Sequence, residues 1–189
     1  IIEGSAFMNC FSLTRLTFPE SLTSLGHGAF SGCRNLEVVD LSRSITSFGS
    51  GIFLGCSKLE TLSIGQSVTP ETLTFLSELE TPISSYSVTS ETSEYSSVDG
   101  VLYSKDGTSL VLFPSDSDSS FVVPPSVISI GPRAFSERNL LTSITLPDGL
   151  QSIGTEAFVD CLGLETLIIP YLSLIHFLLF PLSSLSSFL

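Results

Sequence analysis

The sequence predicts a solenoid of stacked coils with a parallel β-sheet along one side. Three observations carry that prediction. Phenylalanines recur at a fixed interval, a Gly stands four residues before most of them, and a pair of apolar residues separated by one position follows each at a constant offset. Phe7, Phe30 and Phe53 lie 23 residues apart, as do Phe135 and Phe158. Ala6, Ala29, Ala134 and Ala157 come directly before four of these rings, and Leu25-Gly26, Phe48-Gly49, Ile130-Gly131 and Ile153-Gly154 keep step with them. No unit of this length buries its apolar face alone, so each must stack on its neighbours.

Counted from the column Phe of the first three coils, Cys stands at +3 and apolar residues at +6, +9, +11 and +15. In the first coil these are Cys10, Leu13, Leu16, Phe18 and Leu22; in the second, Cys33, Leu36, Val39, Leu41 and Ile45; in the third, Cys56, Leu59, Leu62, Ile64 and Val68. The +9/+11 pair has the period of a strand with one face inward. Leu16/Phe18, Val39/Leu41, Leu62/Ile64, Ile144/Leu146 and Leu167/Ile169 are therefore expected to stack as one parallel sheet. Pro19, Pro147 and Pro170 follow three of these pairs and end the ladder, because Pro has no N–H to pair. The Gly before each Ala-Phe marks either a positive φ or a close approach of two backbones.

Between Val68 and Phe121 the pattern frays. Ile83, Tyr86 and Val88 repeat the spacing of Leu59, Leu62 and Ile64 at a displacement of 24 residues, which predicts one degenerate coil with Phe75 or Leu76 in the Phe column. Val101-Leu102-Tyr103 and Leu110-Val111-Leu112-Phe113 flank Lys105-Asp106-Gly107-Thr108, a strong hairpin signal. Residues 95–114 are read as a hairpin inserted into the solenoid, which resumes at Phe121/Val123 with Val127 matching Leu150. The reading gives about seven coils over residues 1–170. An irregular apolar tail follows over 171–189. The tail is uncharged and interrupted by Pro181; it is a cap on the last coil, a membrane or lipid anchor, or a wrongly translated end. Ile1 already lies inside the repeat template, so the chain reads as a fragment.

Nineteen acids against seven bases give a net charge of −12, and clustered Lys and Arg for phosphate contacts are missing, which argues against nucleic acid as a partner. The same charge repels anionic membranes, leaving the tail as the one place for membrane contact. No phosphate-binding Gly loop, zinc-protease motif or nucleophile elbow is present. His27 and His176 are the only histidines, and His27 occupies a position held by Ser50, Pro132 and Thr155 in other coils, as expected of a solvent-facing turn. Asp116 to Ser120 resembles a calcium loop without its Gly and Glu. Glu37, Glu60 and Glu165 occupy matching rim positions. Cys10, Cys33, Cys56 and Cys161 form a ladder that reads as small buried apolar residues, as bridges between adjacent coils, or as metal ligands, the last lacking the close ligand pair zinc sites use. No catalytic residue, metal site or cofactor is predicted.

LTRLTFPESLTSLGHGAFSGC (Leu13 to Cys33), SVISIGPRAF (Ser126 to Phe135) and LTSITLPDGLQSIGTEAFVDC (Leu141 to Cys161) resemble the BspA-type leucine-rich repeats, and the block Tyr95 to Pro114 resembles a segment recurring in that family. The resemblance implies a right-handed leucine-rich repeat coil with its parallel β-sheet on the concave face and short irregular or helical arms. It further implies a non-catalytic protein-recognition or adhesion module on a secreted or cell-surface protein. The outward sheet positions are then the expected partner-binding residues: Arg15, Thr17, Val38, Asp40, Thr61, Ser63, Ser85, Ser87, Ser143, Thr145, Thr166 and Ile168. Tyr95 and Tyr103 of the hairpin are a second place for contact. The partner is a protein or another cell-surface ligand. The competing reading is a spacer that holds another domain of a larger protein.

Overall fold

Each apolar pair with one outward residue between its members folds as a short strand, and the constant offset between coils becomes strand register. The computed structural model of the chain describes residues 1–41, 44–64, 73, 75, 76, 79, 83–88, 94–115 and 119–170. The chain divides into two compact units, Ile1–Gly100 and Val101–Leu189.

The first unit contains β1 (Arg15–Thr17), β2 (Ser24–Leu25), β3 (Val38–Leu41), β4 (Ser47–Phe48), β5 (Thr61–Ile64), β6 (Ser85–Val88) and β7 (Tyr95–Val98). Strands β1, β3, β5 and β6 form one parallel sheet in that order. Leu16, Val39, Leu62 and Tyr86 are successive partners across it, so the 24-residue step at Tyr86 is absorbed without a slip. A slip of one residue would turn the apolar set of a strand to solvent, which is why the longer connection leaves the register intact. A second ladder pairs β2 with β4, and Ile2 bridges to Leu25 at its edge.

The second unit contains β8 (Val101–Ser104), β9 (Ser109–Leu112), β10 (Ser120–Val122), β11 (Ser129–Ile130), β12 (Ser143–Thr145), β13 (Ser152–Ile153) and β14 (Thr166–Ile168). Strands β10, β12 and β14 are parallel, with Phe121, Ile144 and Leu167 in one row. Strands β8 and β9 form the antiparallel hairpin around Lys105–Thr108. The turn is tied by Asp106, whose carboxylate accepts from the Ser104 hydroxyl and from the Thr108 amide and hydroxyl. These bonds hold its carboxyl below the usual carboxylate range. β9 also pairs in parallel with β11, and β11 with β13, so the second hairpin strand doubles as a rung of the coil stack.

The column phenylalanines stack. Phe7 and Phe30 lie 5.2 Å apart with rings 2° from parallel, and Phe30 and Phe53 lie 6.0 Å apart. Of the two candidates in the degenerate coil, Leu76 is buried and Phe75 stacks on Phe48 at 4.3 Å while touching Phe53 at 6.4 Å. In the second unit Phe135 lies 4.9 Å from both Phe113 and Phe158. Phe113 holds the column place although neither Gly nor Ala marks it in sequence, and its N–H donates to Ala134 O as that of Phe135 donates to Ala157 O. Cysteine, leucine and isoleucine columns close the rest of the core: Cys33, Leu36, Val39 and Leu59 in the first unit and Val127, Ile144 and Leu150 in the second are buried.

The arm carrying each Phe is a third hydrogen-bonded side of the coil, made of turns. Ser5, Phe7 and Asn9 donate to His27, Ala29 and Ser31, and Arg133, Phe135 and Glu137 donate to Thr155, Ala157 and Val159. Helical geometry among the described residues is confined to 73, 75 and 76. Of the two reasons for the Gly before Ala-Phe, close approach is the one observed. A Cβ on Gly26 would stand 2.5 Å from Gly4 N, on Gly49 2.4 Å from His27 N, and on Gly154 2.4 Å from Pro132 N, with φ in the ordinary range at all three. Left-handed backbone falls instead two residues before and two after the column Phe: Ser5 and Asn9, Gly28 and Gly32, Gly51 and Gly55, Arg133 and Glu137, Glu156 and Asp160.

L-residues in that conformation are disfavoured by about 1–2 kcal/mol. Glu137, at φ 61°, is exposed and contributes to the arm through its backbone. Glu137→Gly is therefore expected to raise stability by about 0.5–1 kcal/mol, the relief of strain less the added chain entropy. Urea unfolding checks this, with Glu137→Ala, which keeps the strain, as the variant showing no gain.

Candidate partner-binding face

Alternation along the strands decides which side chains can meet a partner. In the first unit Arg15, Val38, Thr61 and Ser85 form one row across the sheet and Thr17, Asp40, Ser63 and Ser87 the next. In the second unit Ser120, Ser143 and Thr166 form one row and Val122, Thr145 and Ile168 the other. All the outward positions read from the sequence thus fall in rows, divided between two separate sheets. Ser120 and Val122 extend the second set; the Phe121/Val123 spacing already implied them.

The two sheets differ in what they offer. In the first, Arg15 reaches diagonally to Asp40, Nη2 to Oδ2 at 2.7 Å, and the Ser63 and Ser87 hydroxyls share a hydrogen bond of 2.8 Å. Arg15 is 61% exposed, so this ion pair adds at most about 1 kcal/mol to stability and is available for exchange with a partner's charges. Beyond β6 the face closes: Gly100 accepts from the Tyr86 N–H, its Cα side lies against Ser85, and Ser97 donates to Tyr86 O. Ser85 and Ser87 are partly buried, as are Val38, Asp40, Thr61 and Ser63. In the second sheet Val122 is 70% and Ile168 49% exposed on either side of Thr145, an aliphatic row with a hydroxyl at its centre. Of the two hairpin tyrosines, Tyr103 is buried, because its ring belongs to the core of the second unit, and only Tyr95 is partly open.

The cysteine ladder has a different role. All four thiols are free. Cys33 donates to Phe7 O, Cys56 to Phe30 O and Cys161 to Phe135 O at 3.2, 3.2 and 2.8 Å, so each thiol ties its coil to the column Phe one coil earlier. Burial pushes the Cys56 thiol up to about 11, with Cys33 adding to the shift and its N–H opposing it. Cys10 is exposed. In a native thiol assay Cys10 is expected to react first and Cys56 last, and all four react once the protein is denatured; three or fewer in denaturant would mean a bridge.

His27 is exposed, as its variable position suggested, and its Nδ1 meets Ser50 Oγ at 2.7 Å. No carboxylate joins this pair among the described residues, so the acid that would orient such an imidazole is missing. Glu37, Glu60 and Glu165 are exposed on the rim, with Glu60 N–H on Glu37 O. Among the described residues no three His, Cys, Asp or Glu side chains gather to hold a metal, and no helix is long and apolar enough to cross a membrane. The +15 residue Val68, the stretch Asp116 to Asp118 and the tail 171–189 lie outside the described residues.

The chain matches the BspA type leucine rich repeat region in six copies over residues 1–96 and 111–188. Among solved structures it is similar to the pneumococcal vaccine antigen PcpA at 23% identity and a TM-score of 0.57, with 90% of this chain and 48% of that one covered. It is also similar to a leucine rich cell surface protein of Faecalibacterium prausnitzii at 23% identity and a TM-score of 0.48, covering 89% of this chain and 58% of that one. This chain thus spans about half the length of the solved proteins it matches. No curated protein matches it. Proteins of the matched family typically mediate protein–protein contact or adhesion, and they are generally not enzymes. Repeat period, coil geometry and family match agree: the chain belongs to the BspA-type leucine-rich repeat family.

Proposed function

We propose that the chain is a non-catalytic recognition or adhesion module of a secreted or cell-surface protein and that it binds a protein partner through outward sheet positions. The observation that carries this reading is the register. Successive coils set outward side chains in rows at strand spacing, about 4.8 Å, the layout from which solenoids present extended binding surfaces. The outward positions are Arg15, Thr17, Val38, Asp40, Thr61, Ser63, Ser85 and Ser87 in the first unit and Thr145 and Thr166, with Val122 and Ile168 beside them, in the second. Few aromatic anchors stand among them, so affinity comes from many modest contacts.

A variant carrying Asp40→Lys, Ser63→Lys and Thr145→Lys is expected to lose partners while keeping its circular dichroism spectrum and melting midpoint. Wild type and variant are compared on an array of extracellular proteins. Identical binding profiles would place the site elsewhere, and a wild type that binds nothing on the array would favour the spacer.

A further inference from the structure

The chain contains three Asp-Gly steps: Asp99-Gly100, Asp106-Gly107 and Asp148-Gly149. Such a step carries a chemistry of its own. The Gly amide nitrogen lies close to the carboxyl carbon of the Asp before it, and with no Cβ on the Gly little keeps the two apart. Ring closure between them needs main-chain rotation at the Asp, a Gly nitrogen not held in a hydrogen bond, and a carboxyl able to take a proton so that its oxygen leaves as water.

The fold refuses these conditions at two of the steps. The Asp106 carboxylate is held by the Ser104 hydroxyl and by the Thr108 amide and hydroxyl, and the Gly107 N–H donates to Ser104 O at 2.9 Å. Electrophile and nucleophile are both engaged, and the same bonds keep the carboxyl from its protonated form. Asp99 and Gly100 are both left-handed, at φ 50° and 78°. Gly100 O accepts from the Tyr86 N–H, and the Cβ side of Gly100 lies 3.2 Å from Ser85 Cα, so this peptide cannot turn without breaking its seat.

The third step meets them. Asp148 and Gly149 are exposed and form the tip of a turn closed by one backbone hydrogen bond, from Leu150 N–H to Pro147 O at 3.2 Å. Nothing lies within 4 Å of the Cβ position of Gly149, and among the described residues no backbone carbonyl accepts from its N–H.

We propose that Asp148 is a site of spontaneous isoaspartate formation, from which the fold protects Asp99 and Asp106. The Gly149 nitrogen loses its proton and bonds Asp148 Cγ, and a carboxyl oxygen departs as water, leaving a five-membered succinimide. A second water opens the ring. Attack at Cγ restores aspartate; attack at the former main-chain carbonyl carbon gives isoaspartate, with no net change in mass. The main chain then runs through Cγ, one methylene longer, and carries a carboxylate as a branch on Asp148 Cα. The altered turn follows β12, three residues after the outward Thr145, but the chemistry does not depend on what that face binds.

Storage of the folded protein at mildly acidic pH, warm but below its melting midpoint, tests the proposal. Isoaspartate is located by peptide mapping and by labelling with an S-adenosylmethionine-dependent isoaspartyl carboxyl methyltransferase. Asp148 is expected to carry at least about tenfold more than Asp106, the kinetic effect of one charge-assisted hydrogen bond that has to break. It is likewise expected to exceed Asp99. Gly149→Ala, whose added Cβ meets no atom, is expected to keep the fold and to suppress the modification at residue 148. In concentrated urea the three steps are expected to react to similar extents. Isoaspartate at Asp148 no greater than at Asp99 or Asp106 in the folded protein would overturn the proposal, as would the same excess at Asp148 in urea, which would show that the fold does not set the difference.

Discussion

Gly49→Ala is expected to destabilise the protein by at least about 3 kcal/mol, the upper range for overpacking a filled interior. The added Cβ would meet His27 N at 2.4 Å, Gly26 C at 2.6 Å and His27 Cα at 2.7 Å. All three atoms are backbone of the coil before, so no side chain can swing aside. Relief requires separating the coils, which breaks the hydrogen bond from Gly49 N–H to Leu25 O and the pairing of β2 with β4. The same chemical change at Gly149, where nothing lies within 4 Å, is the control and should shift stability by no more than about 0.5 kcal/mol. Urea melts of the two variants decide the matter: equal midpoints would mean that the coils are not in backbone contact at Gly49.

Phe30→Ala is expected to cost about 3–5 kcal/mol through the cavity it leaves. Its ring is 1% exposed, sandwiched between Phe7 and Phe53 and touched by Phe18 at 5.8 Å. Collapse into the gap is opposed because the neighbouring rings are held by their own coils' backbone ladders. Phe7→Ala removes a ring that is 44% exposed and should cost clearly less. With total stabilities of about 5–15 kcal/mol, the Phe30 variant is expected to melt close to working temperature. An unshifted denaturation midpoint would show that the column is not internal.

The strands and their register could be read from spacing because a 23-residue step maps each apolar position onto its counterpart one coil on. The Phe stack followed for the same reason. The left-handed positions flanking each Phe could not be read: the requirement there falls on the backbone, and Ser, Asn, Gly, Arg, Glu and Asp all meet it. Phe113 escaped as a column residue because the hairpin shortens its distance to Phe135 to 22 residues and removes the Gly-Ala marker, while the hydrogen bond to Ala134 survives. At the candidate site the rows of outward side chains were readable from alternation. Their division between two sheets, the Arg15 to Asp40 pair and the closure of the face beside Ser85 depend on where other segments lie, which alternation does not carry. The burial of Arg138, which stands where other coils have Cys, could not be read, since Arg at a turn is ordinarily exposed.

The central claim is that rings one coil apart pack against one another inside each unit, and ring-to-ring proton cross-relaxation in solution tests it most directly. With selectively labelled phenylalanine, Phe30 is predicted to show cross-peaks to both Phe7 and Phe53, and Phe135 to both Phe113 and Phe158. Absence of these cross-peaks in a folded sample, or contacts of Phe30 and Phe135 with other rings in their place, would contradict it.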